Sequence, residues 1–288
     1  MPKLRALYDE AVKKLVGAGI TGREASVDAG LLLQFVFGYD RSFLYAHGDT
    51  DIADGEGLSR FYELIGKRVS RIPLQHLTGE QSFMGLDFYV DENVLIPRPD
   101  TELLVEEALI EVFDGMRVLD LCTGSGCILI SLMKYKNDIE GVASDISEAA
   151  LSVCKKNAKR HGTYEKIDFI QSDIFDGIPL GEGFDANLSN PPYIRRAELE
   201  SLQPEVRLYD PHIALDGHED GLYFYRKIAK EAGRYLKLSG LLLLEIGYDQ
   251  AKAVTELLKE AGFTDIEVKK DYAENDRVIK ARKPLRRI

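Results

Sequence analysis

Cysteine is scarce in this chain of 288 residues. Cys122, Cys127 and Cys154 form an odd set without repeated C-x-x-C spacing. That argues against a disulfide framework and against a zinc site. His47, His76, His161, His212 and His218 do not pair at metal-ligand spacing either, so no metal is expected. Long apolar runs are lacking too. None approaches the roughly 20 residues of a membrane span. The longest, Leu31–Phe37 and Leu241–Ile246, fit a buried helix turn and a buried strand. The start, Met-Pro-Lys-Leu-Arg followed by Asp9, Glu10, Lys13 and Lys14, has no apolar segment and no small-residue cleavage site. A cytoplasmic chain without membrane association is the expectation, its thiols reduced.

An excess of basic charge is the third absence. The net charge is −11. Residues 1–75 hold ten basic and ten acidic side chains, and the remainder carries 27 against 38. A duplex-binding protein normally presents a basic surface, so stable nucleic-acid binding is not expected. The tail Arg282-Lys283-Pro284-Leu285-Arg286-Arg287 is the basic exception. It reads as a solvated end, with RNA contact as the alternative. What is present, 45% hydrophobic and 30% charged residues, is the composition of a folded globular protein of one or two domains.

Leu4, Leu7, Tyr8, Ala11 and Leu15 recur at helical spacing. Thr21-Gly-Arg-Glu24 has the form of a capping box opening a second helix through Leu31–Phe37. The polar stretch His47–Gly57 separates it from a helix near Leu58–Val69. Residues 1–72 thus read as a small helical domain. Residues 73–98 read as a linker containing a β-hairpin: Phe83, Leu86, Phe88 and Val90 alternate, with turns at Thr78-Gly79 and Gly85. Pro97 and Pro99 follow, and Asp100 or Thr101 could cap a helix starting near Glu102. Residues 99–288 form the third segment. In it strands at about 117–121, 141–144, 168–171, 186–189, 241–246, 266–269 and 278–281 alternate with helices at about 126–135, 148–160, 220–236 and 249–262. Such alternation predicts an α/β fold with a mostly parallel sheet covered on both faces.

Val118-Leu-Asp-Leu121 is a buried strand running into Cys122-Thr-Gly-Ser-Gly126 and then a helix. A glycine turn there lets backbone approach a ligand outside the carboxyl ends of the strands. A second strand ends in Asp145, whose carboxylate can accept both hydroxyls of a ribose. As a helix cap, Ser147 is the better candidate. The spacing Asp-x-Cys-x-Gly-x-Gly is not the G-x-G-x-x-G of pyrophosphate binding. It resembles the first motif of class I S-adenosylmethionine methyltransferases, with Cys122 where the general pattern has glycine. A cysteine there implies an ordinary backbone conformation.

Asn190-Pro-Pro-Tyr193 follows the strand ending at Ser189. The prolines fix φ and leave carbonyls that only accept, the Asn190 oxygen is a further acceptor, and Tyr193 offers a ring face. Together they suit a planar NH₂ group. An amide nitrogen is a poor nucleophile, and acceptors holding both hydrogens can aim it and stabilise the positive charge it develops. The tetrapeptide resembles the catalytic motif of methyltransferases acting on adenine, cytosine, guanine or glutamine amino groups.

The linker from Pro73 to Glu102, with Pro97-Arg-Pro-Asp-Thr-Glu102, resembles that of the HemK/PrmC family of peptide chain release factor glutamine methyltransferases. The resemblance continues through Asp210-Pro211, Ala214-Leu215, Gly221-Leu222, Tyr225-Arg226, Glu245-Ile-Gly247 and Gln250. It implies a class I methyltransferase: a Rossmann-like, mostly parallel seven-stranded sheet, a hairpin linker, and a helical domain that docks the substrate. The implied reaction moves a methyl group from S-adenosylmethionine to the N5 amide of the Gly-Gly-Gln glutamine in class I release factors, supporting translation termination. The implied cofactor residues are Cys122, Thr123, Gly124, Ser125, Gly126, Asp145, Ile174 and Asn190. Asn190, Pro191, Pro192 and Tyr193 would hold the glutamine. Arg98 and Glu102 stand either in the pocket or in a structural ion pair at the helix start. A ribosomal-protein glutamine methyltransferase, a nucleic-acid amino-methyltransferase and a non-enzymatic binding module are the alternatives.

Overall fold

The computed structural model describes residues 1–285. The chain divides into two compact units, one of residues 1–79 with 203–209, the other of 80–202 with 210 onward. In the first, Leu4, Leu7, Ala11 and Leu15 form the buried face of α1 (Leu4–Gly17). Thr21 caps α2 (Gly22–Phe37) by accepting from the Glu24 N–H at 3.3 Å, and Gly38, at φ 72°, closes it. Asp40 caps α3 (Arg41–Ala46), Asp54 caps α4 (Gly55–Val69), and α5 spans Leu74–Thr78. Helices α3 and α5 are too short to print a period on the sequence, which is why the pattern missed them.

The second unit opens with a hairpin, β1 (Glu80–Phe83) and β2 (Leu86–Tyr89). Its two turn residues, Met84 and Gly85, both have positive φ, which matches the twist of paired strands. Helix α6 (Glu102–Glu111) starts from a 3-10 turn over Pro99–Thr101. Neither Asp100 nor Thr101 supplies the expected cap bond. Thr101 Oγ1 accepts instead from Asn190 Nδ2 at 3.3 Å, and Asp100 lies 3.3 Å from the Arg277 guanidinium.

The remaining elements alternate: β3 (Arg117–Leu121), α7 (Cys127–Tyr135), β4 (Glu140–Asp145), α8 (Glu148–Arg160), β5 (Ile167–Gln171), β6 (Phe184–Ser189), α9 (Pro204–Tyr209), α10 (Tyr223–Tyr235), β7 (Leu236–Glu245), α11 (Ala251–Glu260), β8 (Thr264–Lys270) and β9 (Asp276–Arg282). The sheet order is β5-β4-β3-β6-β7-β9-β8, with β9 antiparallel to both neighbours. Val118, Leu188, Leu241 and Leu243 join the core on one face, and Leu119, Leu121, Leu242 and Leu244 the core on the other. Burial on both faces explains why these strands read as continuous apolar runs. The order reverses between β3 and β6, the switch point where open α/β sheets bind ligands.

Helix α9 belongs to the helical unit. Its Glu205 accepts from Arg68 at 2.8 Å and from Arg71 at 2.7 Å. Arg68, 2% exposed, also donates to Asp28 at 2.7 Å and to Glu24 at 2.8 Å. A fully buried guanidinium is tolerable because three carboxylates pair with it. In the tail, Arg282 ends β9 and donates to Glu111 and to the Ser239 carbonyl. Arg286 and Arg287 lie outside the described residues. Among the described residues no helix is long and apolar enough to cross a membrane.

Candidate active site

The strand ends around the switch point line one pocket. Its floor is the turn after β3. Thr123 N–H donates to the Ser144 carbonyl at 2.9 Å, Gly124 N–H to Asp145 Oδ2 at 2.9 Å, and Gly126 N–H to the Thr123 carbonyl at 2.8 Å. From below, Asp120 Oδ2 accepts from Thr123 Oγ1 at 2.7 Å. Burial pushes the Asp120 carboxyl up to about 7. Two carboxylates thus hold the turn, Asp120 beneath it and Asp145 at its edge.

Gly126 is needed for packing, since a Cβ would sit 2.5 Å from Cys154 Sγ. Gly124, at φ 53°, has open space beside it and is needed for its conformation. Cys122 corrects the sequence reading. Its φ is 57°, in the left-handed region, not the ordinary conformation expected of a cysteine. Ile174, β-branched, has φ 54°. Such residues cost about 1–3 kcal/mol each and persist where their surroundings impose them. Around Ile174 the imposing group is Ser172, whose Oγ donates to the Ile174 carbonyl at 3.0 Å and accepts from Gly177 N–H at 2.8 Å. At Cys122 the hydrogen bonds of the following turn fix the path. Both strained residues line the pocket.

Asp145 ends β4 and lines the pocket. Its Oδ1 accepts from Ser147 N–H at 2.9 Å, while Ser147 caps α8 by accepting from Ala150 N–H. Burial raises the Asp145 pKa, against the backbone donors of Ser147 and Gly124. Each carboxylate oxygen accepts one backbone N–H and keeps a lone pair for a ligand.

The opposite side is the tetrapeptide after β6. Ser189 Oγ donates to the Leu121 carbonyl at 2.8 Å, joining β6 to β3 at the switch point. Asn190 and Pro192 line the pocket. The bond to Thr101 uses the Asn190 NH₂ and leaves Oδ1 as an acceptor. Pro191 is buried outside the lining. Tyr193 packs into the core beside the pocket, and burial, with the negative Glu245 near it, raises its phenol pKa. Glu245, 2% exposed at the end of β7, is pushed up to about 7 by burial, opposed by Thr101, Arg277 and Tyr193.

The N-terminal residues 6–79 match the family described as the PrmC N-terminal domain, and residues 113–276 a methyltransferase domain. The chain is 42% identical over 257 residues to a release factor glutamine methyltransferase of Clostridium acetobutylicum, covering 88% of this chain and 90% of that one. A second, from Cereibacter sphaeroides, is 42% identical over 274 residues, covering 95% and 96%. The chain belongs to the release factor glutamine methyltransferase family. A crystal structure of a methyltransferase from Pyrococcus furiosus shares the fold, with a TM-score of 0.52 at 16% identity over 80% of this chain and 100% of that one.

In this family member the pocket brings together Cys122, Thr123, Gly124, Ser125, Asp145, Ile174, Asn190, Pro192 and Arg98. Gly126, Pro191, Tyr193 and Glu102 lie outside its lining. Glu102 departs furthest from the sequence reading. Its carboxylate accepts from the Met84 N–H at 2.6 Å, satisfying a donor of the hairpin turn. Arg98 does not pair with it. The Arg98 guanidinium meets Asp210 Oδ2 at 2.5 Å, and burial pushes the Asp210 carboxyl up to about 6 against that attraction. Sequence reasoning named Asp210 and Glu245 only within the family resemblance, without a role, and missed Thr101 as the partner of Asn190. For Glu245 a signal existed: a carboxylate closing the apolar strand Leu241–Leu244 at the ligand end of the sheet.

Proposed function

We propose that this protein methylates the N5 amide of the Gly-Gly-Gln glutamine of class I release factors, with S-adenosylmethionine as donor. The observation carrying this reading is that Asn190 and Pro192 of the tetrapeptide and the Gly124–Asp145 cradle line one pocket across the β3–β6 switch point. The donor set fits a nucleoside without phosphates. Arg98, the cation of the lining, is engaged by Asp210, and Asp173 is paired with Lys227 at 2.8 Å. A pyrophosphate would meet the Asp145 carboxylate without a free counter-charge, whereas a cationic sulfonium is suited to it.

When bound, S-adenosylmethionine supplies an electrophilic methyl group. Asp145 would accept the ribose hydroxyls, the turn Cys122–Gly126 would hold the amino-acid portion, and Ile174 would pack near the base. Asn190 Oδ1 and the rigid proline carbonyls would accept the two hydrogens of the glutamine amide and aim its nitrogen. Those acceptors stabilise the charge that grows on nitrogen, so no base need remove a proton first. The helical unit would dock the release factor.

The test is transfer from labelled S-adenosylmethionine to a purified class I release factor and to the same factor with its Gly-Gly-Gln glutamine changed, with peptide mass spectrometry locating the label. Label on that glutamine, absent from the changed factor, is the expected result. Label found instead on a ribosomal protein or a nucleic acid would overturn the substrate assignment.

A further inference from the structure

Behind the catalytic tetrapeptide lies a glutamine with every hydrogen-bonding group engaged. Gln250, between β7 and α11, is 3% exposed. Its Oε1 accepts from Gly247 N–H at 2.9 Å, and its Nε2 donates to the Tyr193 carbonyl at 3.0 Å and the Gly221 carbonyl at 3.2 Å. The amide cannot be turned round, because two carbonyls would then face an oxygen and an N–H would face an NH₂.

The surrounding backbone leaves this amide no slack. A Cβ on Gly221 would sit 2.4 Å from the Tyr193 carbonyl oxygen and 2.6 Å from Gln250 Nε2. One on Gly217 would lie 2.8 Å from the Tyr193 backbone, and one on Gly247 2.8 Å from Gln250 Oε1. Three glycines therefore close around one side chain and one carbonyl. Thr101 holds the entrance of the tetrapeptide at Asn190, and Gln250 holds its exit at Tyr193. Through Gly221 the same amide ties that exit to the segment leading to Phe224, which lines the pocket.

We propose that Gln250 is a positioning residue for methyl transfer, setting the tetrapeptide's path so that its acceptors face the substrate amide. The inference rests on the reading that Asn190–Tyr193 holds that amide. It predicts loss in kcat with substrate and donor binding largely kept, since Gln250 does not line the pocket.

The experiment uses the full chain with Gln250→Leu, Gln250→Glu and, in parallel, Asn190→Ala. Measured are thermal melting, calorimetric affinity for S-adenosylhomocysteine, and kcat and KM for a class I release factor. Both Gln250 variants should bind S-adenosylhomocysteine and release factor much as the parent does while kcat falls about 10- to 100-fold, the usual cost of a misplaced reacting group. Gln250→Glu adds a signature that folding alone would not give. Its buried carboxyl, facing two carbonyls, takes up a proton as pH falls and regains one donor. The ratio of its kcat to the parent's should rise from about pH 8 to about pH 5.5, while the Gln250→Leu ratio stays flat. Parent-like kcat in both variants, with Asn190→Ala inactive, would overturn the inference. So would Gln250→Glu and Gln250→Leu ratios that run parallel across pH. An active Asn190→Ala would bring down the reading beneath it.

Discussion

Asp145→Ala should weaken donor binding by one to two orders of magnitude and leave the fold intact. In the parent the carboxylate accepts from Gly124 and Ser147 N–H groups, both at 2.9 Å, and keeps a lone pair on each oxygen. Alanine removes the acceptor proposed for the ribose hydroxyls. Hydrogen bonds to a charged group contribute about 1.5–3 kcal/mol, which corresponds to a Kd about 10- to 150-fold higher. The two backbone donors lose their partner as well, but Asp145 is only half-buried, so water reaches them and the stability loss is smaller than for an enclosed pair. Asp173→Ala is the control. Asp173 lines the same pocket, but Lys227 already engages it, so its removal should change affinity little. The assay is calorimetric titration with S-adenosylhomocysteine, alongside thermal melting. Unchanged affinity in Asp145→Ala, or an equal loss in Asp173→Ala, would refute the reasoning and place the ribose elsewhere.

Asn190→Ala should lower kcat by about 100-fold or more while S-adenosylhomocysteine affinity falls less; near-normal single-turnover transfer would remove Asn190 from the mechanism. Arg68→Ala leaves Asp28, Glu24 and Glu205 without their shared cation and should cost about 3–5 kcal/mol in urea unfolding. A loss under 1 kcal/mol, roughly the value of a surface pair, would contradict the burial of that cluster. Glu245→Gln tests a buried acid. A carboxyl whose folded pKa is raised from 4.5 to about 7 stabilises the fold below 4.5, and that contribution is lost as pH rises to about 7. The melting temperature of Glu245→Gln relative to the parent should therefore climb between those pH values; a constant difference would mean Glu245 titrates normally.

The positions of β3, β4, β6, β7 and β9 were legible because burial on both faces forces apolar runs of strand length, separated by helices, whereas the edge strands β5 and β8 are largely exposed and carry no such run. The cradle was legible at Gly124 and Asp145 for the same kind of reason, since conformation and charge at fixed offsets leave marks on single residues. Contacts between residues far apart leave no such mark. Thr101 looked like a helix cap because its local context was that of a cap, yet its hydroxyl serves Asn190, 89 positions away. Glu102 read as a pocket residue or half of an ion pair with Arg98, yet it satisfies a hairpin turn. Cys122 shows the converse error: residue type suggested a relaxed backbone, and the hydrogen bonds of the turn overrode that preference. Helix α9, six residues opened by Pro204, carries no period at all.

After Asn190-Pro-Pro-Tyr193 the chain passes through the helical unit. From Tyr193 it runs to Gln203, contributes seven residues to the helical unit, and returns at Asp210, next to Pro211, Ile213 and Ala214 of the pocket lining. The helical unit is thus not a bead that recombination could exchange with a single cut. Any replacement of residues 1–79 inherits a foreign α9 and leaves Glu205 to find a new cation. On the C-terminal side a single residue, Asp210, separates that segment from Pro211 of the pocket lining, whereas residues 194–202 separate it from Tyr193. Exchange of the helical unit therefore takes three junctions in the chain, after residue 79, before residue 203 and after residue 209.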